Sequence, residues 1–267
     1  MKNENDHKQR PCWMYIDGEP ATSYQELIKK LKSTSIEDKY NGLSAIIKSI
    51  MNDDNYPSNL MITVIQNVQI CEDVKLKKLL FLFWEIIEKR NPDGTLKEEV
   101  YLVCNNLRKD LLHANEYYRS RALRLLSKLP HKEILESLAS AMIENLIHKH
   151  PYVRRSAINC LISVTKNFGN NMLPNNITLK LKDIIDKESD LSAKRNAYLA
   201  LAIIDPSESL KVTVEQINGN DVTELGDLFV LALVENLRNL CKIIPKEKSK
   251  LIKLLIELSN HKSHSGK

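Results

Sequence analysis

A basic residue followed by an apolar helical run returns about every forty residues along this chain. The segments EDKYNGLSAII, VKLKKLLFLFW, YYRSRALRLLSKL, YVRRSAINCLISV and SAKRNAYLALAII open alike. With Lys39, Lys77, Arg121, Arg155 and Arg195 as equivalents, the steps are 38, 44, 34 and 40 residues. A sixth run, ELGDLFVLALVENL, surrounds Gly226. Helix pairs repeating near forty residues build HEAT and armadillo arrays. One such pair cannot bury its own apolar face, so neighbours stack and the core runs along the array. The expected fold class is therefore all-α, a HEAT/armadillo-type α-solenoid of about six helix pairs.

Local signals agree with the period. Ser23 and Glu26 have the spacing of a capping box, which predicts a helix start; Ser35 and Asp38 repeat the signal for a second helix. Further helices are expected over 58–68, 73–89, 96–111, 115–129, 132–148, 151–167, 176–187, 190–204, 206–217, 222–241 and 246–259. Pro57, Pro92, Pro130, Pro151, Pro174, Pro206 and Pro245 fall at the breaks, where a missing N–H costs little. Residues 1–22 read as a polar N-terminal extension and 23–260 as the start of a longer trunk. Residues 261–267 read as the tail of a truncated chain, since no polar capping repeat follows them.

Composition supports this reading. Glycine occurs only 7 times and aromatics make up 6% of residues, while a sheet protein needs many glycine turns and leans on aromatic and β-branched strands. The net charge of +5, from 39 basic and 34 acidic residues, is dispersed. It points to no nucleic acid, but it suits peripheral contact with an anionic membrane. The longest apolar stretch, Leu79 to Trp84, is far too short to span a bilayer. Cys12, Cys71, Cys104, Cys160 and Cys241 form no CxxC pair, so free thiols in a reducing compartment are expected rather than disulfides or zinc.

Motifs of chemistry are missing. Neither a phosphate-cradling glycine loop nor a GxSxG elbow nor HExxH occurs. No catalytic, cofactor or metal residue is expected, and no cofactor. His148 and His150, two apart, read as solvated histidines at a helix end. Arg154 with Arg155, and Lys194 with Arg195, could hold a phosphate. Because the slot is basic in every repeat, it reads instead as a ladder of hydrogen bonds between adjacent turns, with Arg155 as a member. On the fourth helix Leu76, Leu79, Leu80, Phe83, Trp84 and Ile87 form the apolar face; Phe81 and Leu82 fall outside it, and either touch neighbouring repeats, since a solenoid helix packs on several sides, or form a partner patch. On the fifth, Val100, Val103, Cys104, Leu107 and Leu111 form the core face. Tyr101 lies at its edge between Lys97 and Arg108, as an interface anchor would.

LKKLLFLFWEIIEK followed by NPDGTLKEEVYLVCNNLRKDLLHANEYYRSRALRLLSKL, with HKHPYVRRSAINCLISV and SAKRNAYL, resembles the coatomer β family of COPI coats in its N-terminal, adaptin-like trunk. The resemblance runs from about Cys12 to Glu257. It departs at the polar N-terminus, at Gly42 and at NNMLPNN. It implies a structural and adaptor subunit, not an enzyme, in Golgi-to-ER and intra-Golgi vesicle transport. The partners implied are the δ, γ and ζ coat subunits and an Arf-family GTPase in its GTP state. The place implied is the cytoplasm, peripheral on Golgi membranes and COPI vesicles. In the related adaptin β chains the Arf-contacting helix aligns with VYLVCNNLRKD, its two apolar contacts falling on Tyr101 and Cys104. Phe81 would extend that patch, with Lys97 and Arg108 at its rim. An importin-type HEAT carrier and a phosphatase scaffold share the fold; the former tends to be acidic, and the motifs do not fit the latter.

Overall fold

A computed structural model describes residues 23–52, 60–219, 226–244 and 247–260. The expected extension 1–22, with PCWMYIDGEP and Cys12, and the tail 261–267 lie outside the described residues. Among those described, thirteen α-helices follow one another: α1 (Tyr24–Lys32), α2 (Ile36–Met51), α3 (Leu60–Asn67), α4 (Val74–Ile86), α5 (Glu98–Leu111), α6 (Glu116–Leu126) and α7 (Lys132–Glu144). They continue as α8 (Pro151–Phe168), α9 (Ile177–Lys187), α10 (Leu191–Ile204), α11 (Pro206–Gly219), α12 (Asp227–Ile243) and α13 (Lys248–Asn260). The expected all-α array of helix pairs is what the described residues form. NNMLPNN contains a single 3-10 turn, Asn170–Met172, so that departure stays in a loop.

The helix starts follow from side-chain caps. Ser23 and Glu26 satisfy each other's backbone N–H in a complete capping box. Ser35, Asp73, Asn115 and Asp190 each accept from a first-turn N–H of α2, α4, α6 and α10. His150 caps α8 with its ring, taking the Tyr152 N–H at 3.3 Å, and Pro151 follows at the first helical position. His148 accepts from the His150 N–H at 3.1 Å. The two histidines thus cap a turn at the surface, His150 exposed and His148 half-buried. Gly169, at φ +75°, closes α8 in a conformation that L side chains avoid.

The chain divides into two compact units, 1–103 and 104–267, with the division inside α5. In the first unit α1 packs on α2 and α3, and α2 packs on α4. Leu31, Leu43 and Ile46 are wholly buried there. A Cβ on Gly42 would sit 3.1 Å from the Lys30 Cβ, so the glycine lets α1 and α2 approach closely. In the second unit the even-numbered helices lie side by side, α6 on α8, α8 on α10 and α10 on α12. The odd-numbered α7, α9 and α11 pack against this layer. Ala157, Ala193, Ala197 and Ala200 are buried at the contacts, where small side chains permit close packing. A polar knot crosses three helices of this unit: the Tyr198 and Thr213 hydroxyls meet at 2.6 Å, and Asn236 donates to Tyr198 and Ser209. Burial pushes the Tyr198 phenol up to about 12.

The basic ladder exists, in a different register from the one the sequence predicts. Counted from each N-cap, the fifth residue of α2, α4, α6, α8 and α10 is Lys39, Lys77, Arg119, Arg154 and Lys194. Lys39 donates to the Asn67 carbonyl at the end of α3, at 2.7 Å. Arg119 donates to the His113 and Leu112 carbonyls beyond α5 and to Asn145 Oδ1 at the end of α7. Arg154 donates to the His148 and Lys149 carbonyls, and its fork meets both carboxylate oxygens of Glu188 at 2.5 and 2.6 Å. Lys194 breaks the rule, its ammonium standing 6.0 Å from the Phe229 ring. The ends of α-helices leave carbonyls unpaired and carry negative partial charge, which is what these cations meet. Arg155 makes no hydrogen bond among the described residues; its nearest partner is Asp190 at 3.9 Å. Its assignment to the ladder is corrected to Arg154.

Leu125→Ala and Ile158→Ala, both at buried positions, are each expected to cost about 2–5 kcal/mol in urea denaturation. Arg154→Ala breaks a largely buried ion pair, its side chains 16% and 3% exposed, and should cost roughly 3–5 kcal/mol. Arg155→Ala should cost less than about 1 kcal/mol. Burial acts to raise the Glu188 carboxyl, but the Arg154 hydrogen bonds, the Asp190 N–H and the Arg154 charge outweigh it and hold the group below its usual range. The stability it confers is therefore complete above the unfolded carboxyl pKa and is lost as pH falls through the folded value. Acid melts of Glu188→Gln should lack that part of the pH dependence.

Candidate functional site

α5 has two faces because its apolar residues recur at helical spacing. Val100, Val103, Cys104, Leu107 and Leu111 are buried. On the other side Tyr101 is 59% exposed, with Leu102 beside it at 53%. Asn105 and Arg108 continue the stripe of Tyr101 one and two turns on, and both are exposed. Arg108 is tied down, donating to the Ser137 carbonyl at 2.6 Å. An aromatic ring with a polar tip, standing beside a leucine, can bury apolar area against a partner and still direct hydrogen bonds.

Just before α5, the NPDG stretch forms a feature that the helical reading missed. Arg90 and Leu96 make an isolated antiparallel bridge. The Asn91 N–H donates to the Thr95 carbonyl at 2.8 Å, and the Arg90 guanidinium closes on the Gly94 carbonyl. Thr95 donates twice to Asp93, which holds that carboxyl below its usual range. The Lys97 N–H reaches the Lys89 carbonyl at 3.0 Å, so the hairpin sets where α5 starts. Lys89 is buried with its ammonium donating to the Ile87 carbonyl; burial pushes it down to about 8. The signal was present in Asn91-Pro92-Asp93-Gly94, a turn sequence flanked by residues able to pair.

The five predicted interface residues are therefore not equivalent. Tyr101 and Arg108 are exposed and Lys97 is half-buried. Cys104 is on the buried face, where burial pushes its thiol up; it can only support the surface. Phe81 is corrected: it is 6% exposed and belongs to the core. A helix inside a stacked layer packs on more than one side, so residues off its main apolar stripe are also covered, and only Leu82 of that pair faces solvent. Leu102, which sequence reasoning passed over, joins Tyr101 instead. Its signal was a leucine outside the five-residue core stripe of its helix.

Elsewhere, Cys104 and Cys160 are buried free thiols, while Cys71 and Cys241 are partly exposed. Among the described residues no three His, Cys, Asp or Glu side chains lie together as metal ligands. Nor is any described helix long and apolar enough to cross a membrane.

Residues 19–265 match the family described as the adaptin N terminal region. The chain is 38% identical over 258 residues to a protein named coatomer subunit beta from Toxoplasma gondii, covering 94% of this chain and 23% of that protein. It is 35% identical over 259 residues to the Drosophila melanogaster protein of the same name, covering 96% and 26%. With that from Rattus norvegicus the figures are 36% over 252 residues, 94% and 26%. The chain spans about a quarter of the length of these relatives.

Charge introduced on the two aromatic side chains should separate surface from core. Tyr101→Asp is expected to leave the melting temperature within a few degrees of the parent, as exposed substitutions change stability by only about 0.5 kcal/mol. Phe81→Asp forces a carboxylate into apolar packing and should unfold the first unit or lower its melting temperature steeply. Differential scanning calorimetry of both variants decides the matter.

Proposed function

The chain belongs to the adaptin N-terminal family, and from that premise we propose that it serves as a structural and adaptor segment of a COPI-type vesicle coat. The observation that carries this reading is the similarity to coatomer β chains along nearly all of its length. In this reading it acts by binding proteins and catalyses nothing, in Golgi-to-ER and intra-Golgi transport. Its partners are the other coat subunits, δ with γ and ζ. Its place is the cytoplasm and, peripherally, Golgi membranes.

Recruitment by an Arf-family GTPase in its GTP state would use the exposed side of α5. Tyr101 is the proposed anchor, Leu102 widens the apolar contact, and Arg108 stands at the rim where a fixed cation favours one orientation of the partner. Lys97 adds a second cation at the start of the helix. Cys104 holds the helix from beneath. A few well-placed anchors carry most of the energy of such interfaces, so a single substitution should be decisive.

An Arf-family GTPase loaded with a non-hydrolysable GTP analogue should bind the purified chain, and the GDP form should not. Tyr101→Asp should reduce that binding by roughly a hundredfold or more, as expected for a hot-spot aromatic. Full-strength binding by Tyr101→Asp rules out this patch. Recovery of the tagged chain from its source cell without any coat subunit rules out the coat reading itself.

A further inference from the structure

Lys39 does more at its junction than hold a carbonyl. Its ammonium also meets Cys71 Sγ at 3.4 Å. The Asn67 carbonyl at the end of α3 is shared by the two: it takes Lys39 Nζ at 2.7 Å and the Cys71 S–H at 3.5 Å. A turn fixes the cysteine there, its N–H donating to the Val68 carbonyl at 3.0 Å. One carbonyl therefore holds a nitrogen nucleophile from α2 against a sulfur nucleophile from the segment that follows α3.

Access separates this cysteine from the others. Cys104 and Cys160 are buried, and burial pushes the Cys160 thiol up to about 12. Cys71 and Cys241 are partly exposed. Cys71 follows Ile70, which is 77% exposed, so a small oxidant can reach the sulfur from solvent. Of these two accessible thiols, only Cys71 has an amine against its sulfur among the described residues.

We propose that Cys71 and Lys39 form a modification site, at which hydrogen peroxide joins α2 to the end of α3 through a sulfur–nitrogen bond. The Cys71 thiolate attacks one peroxide oxygen: the S–O bond forms, the O–O bond breaks and hydroxide leaves, giving a sulfenic acid. The hydroxide takes a proton from the Lys39 ammonium. The amine lone pair then attacks sulfur, and the sulfenic oxygen departs as water with a proton from the nitrogen. Thiolate, ammonium and peroxide thus become a sulfenamide and two waters, sulfur being oxidised and peroxide reduced. Sulfenic acids condense in this way with a nitrogen held beside them, and contact in the folded chain replaces a bimolecular encounter. The flexible stem of Lys39 supplies the remaining approach. Small thiols reverse the bridge: one attacks sulfur and displaces the amine, and a second frees Cys71 and leaves as the disulfide.

The test exposes the full 267-residue chain to dilute hydrogen peroxide, blocks free thiols with iodoacetamide and maps unreduced tryptic peptides by mass spectrometry. The peptide holding Lys39 should appear joined to that holding Cys71, lighter than their sum by the two hydrogens lost, and dithiothreitol should separate them. Lys39→Arg keeps a cation for the Asn67 carbonyl but offers no amine. It should lose the joined species and carry Cys71 on to the sulfinic acid. Circular dichroism checks that this variant is folded, and Lys39→Gln gives the same reading if it is not. Cys71→Ser should also lose the joined species, and Cys241→Ser should keep it. Cys71 that stays unreacted, or that ends only as sulfinic acid or a disulfide in the parent chain, overturns the proposal. So does a joined species that persists in Lys39→Arg, or one heavier by an oxygen, which would place that atom between nitrogen and sulfur.

Discussion

Every helix pair in a stacked array ends in a cluster of carbonyls with no partner inside its own helix, and those carbonyls must be met at the junction between pairs. Here they are met by a cation placed one turn into the neighbouring even helix. Lys39, Arg119 and Arg154 each reach across to the end of the next odd helix, ending on Asn67, Asn145 and Glu188 respectively. Asn145 shows how demanding the junction is. It is wholly buried, and its amide donates to both the Leu111 and Ala141 carbonyls while its oxygen receives Arg119. Losing any member would leave a buried polar group unpaired, which costs more than the hydrogen bond itself contributes. These contacts fix the stacking of one pair on the next, and the exposed faces of α5 and of the even layer inherit their positions from it.

Much of this was legible in the sequence because helical arrays are governed by local rules. The capping box at Ser23, the Asp and Asn caps, and the prolines at helix breaks are chemistry within a few residues. The repeat length then reports the architecture. The ladder register was not legible, because Arg154 and Arg155 are the same residue type side by side. A one-residue step along a helix rotates a side chain by about a quarter turn, enough to carry it from the junction to the open face. Distance from the N-cap settles the choice: the junction residues Lys39, Arg119 and Arg154 are each the fifth from the cap, a measure that apolar segment alignment ignores.

Phe81 and Leu102 illustrate a second limit. Periodicity identifies the main apolar stripe of a helix, but a helix in a layer has two flanks as well as a base. Phe81 lies off the stripe of α4 and is buried, whereas Leu102 lies off the stripe of α5 and is exposed. The sequence is equally apolar at both positions, so the difference comes from the neighbours. The Arg90–Leu96 bridge escaped for a related reason. A two-strand contact of this length has no alternation to detect, and only the turn residues announce it.

The same ladder accounts for the basic character of α8 and α10. On α8 and α10 no acidic side chain occurs, while Asp190 and Glu188 stand just before α10 and the odd helices α7, α9 and α11 carry acids. A carboxylate on the even layer near Arg119 or Arg154 would compete with the carbonyls of the junction for those guanidiniums and pull the ladder apart. The absence of acids from α8 and α10 leaves Arg154 to the junction carbonyls and Glu188. Arg155 is the contrast: one residue from the most heavily bonded side chain in the junction, it makes no hydrogen bond among the described residues. Its one ion pair, with Asp190 at 3.9 Å, lies outside the junction that Arg154 holds together.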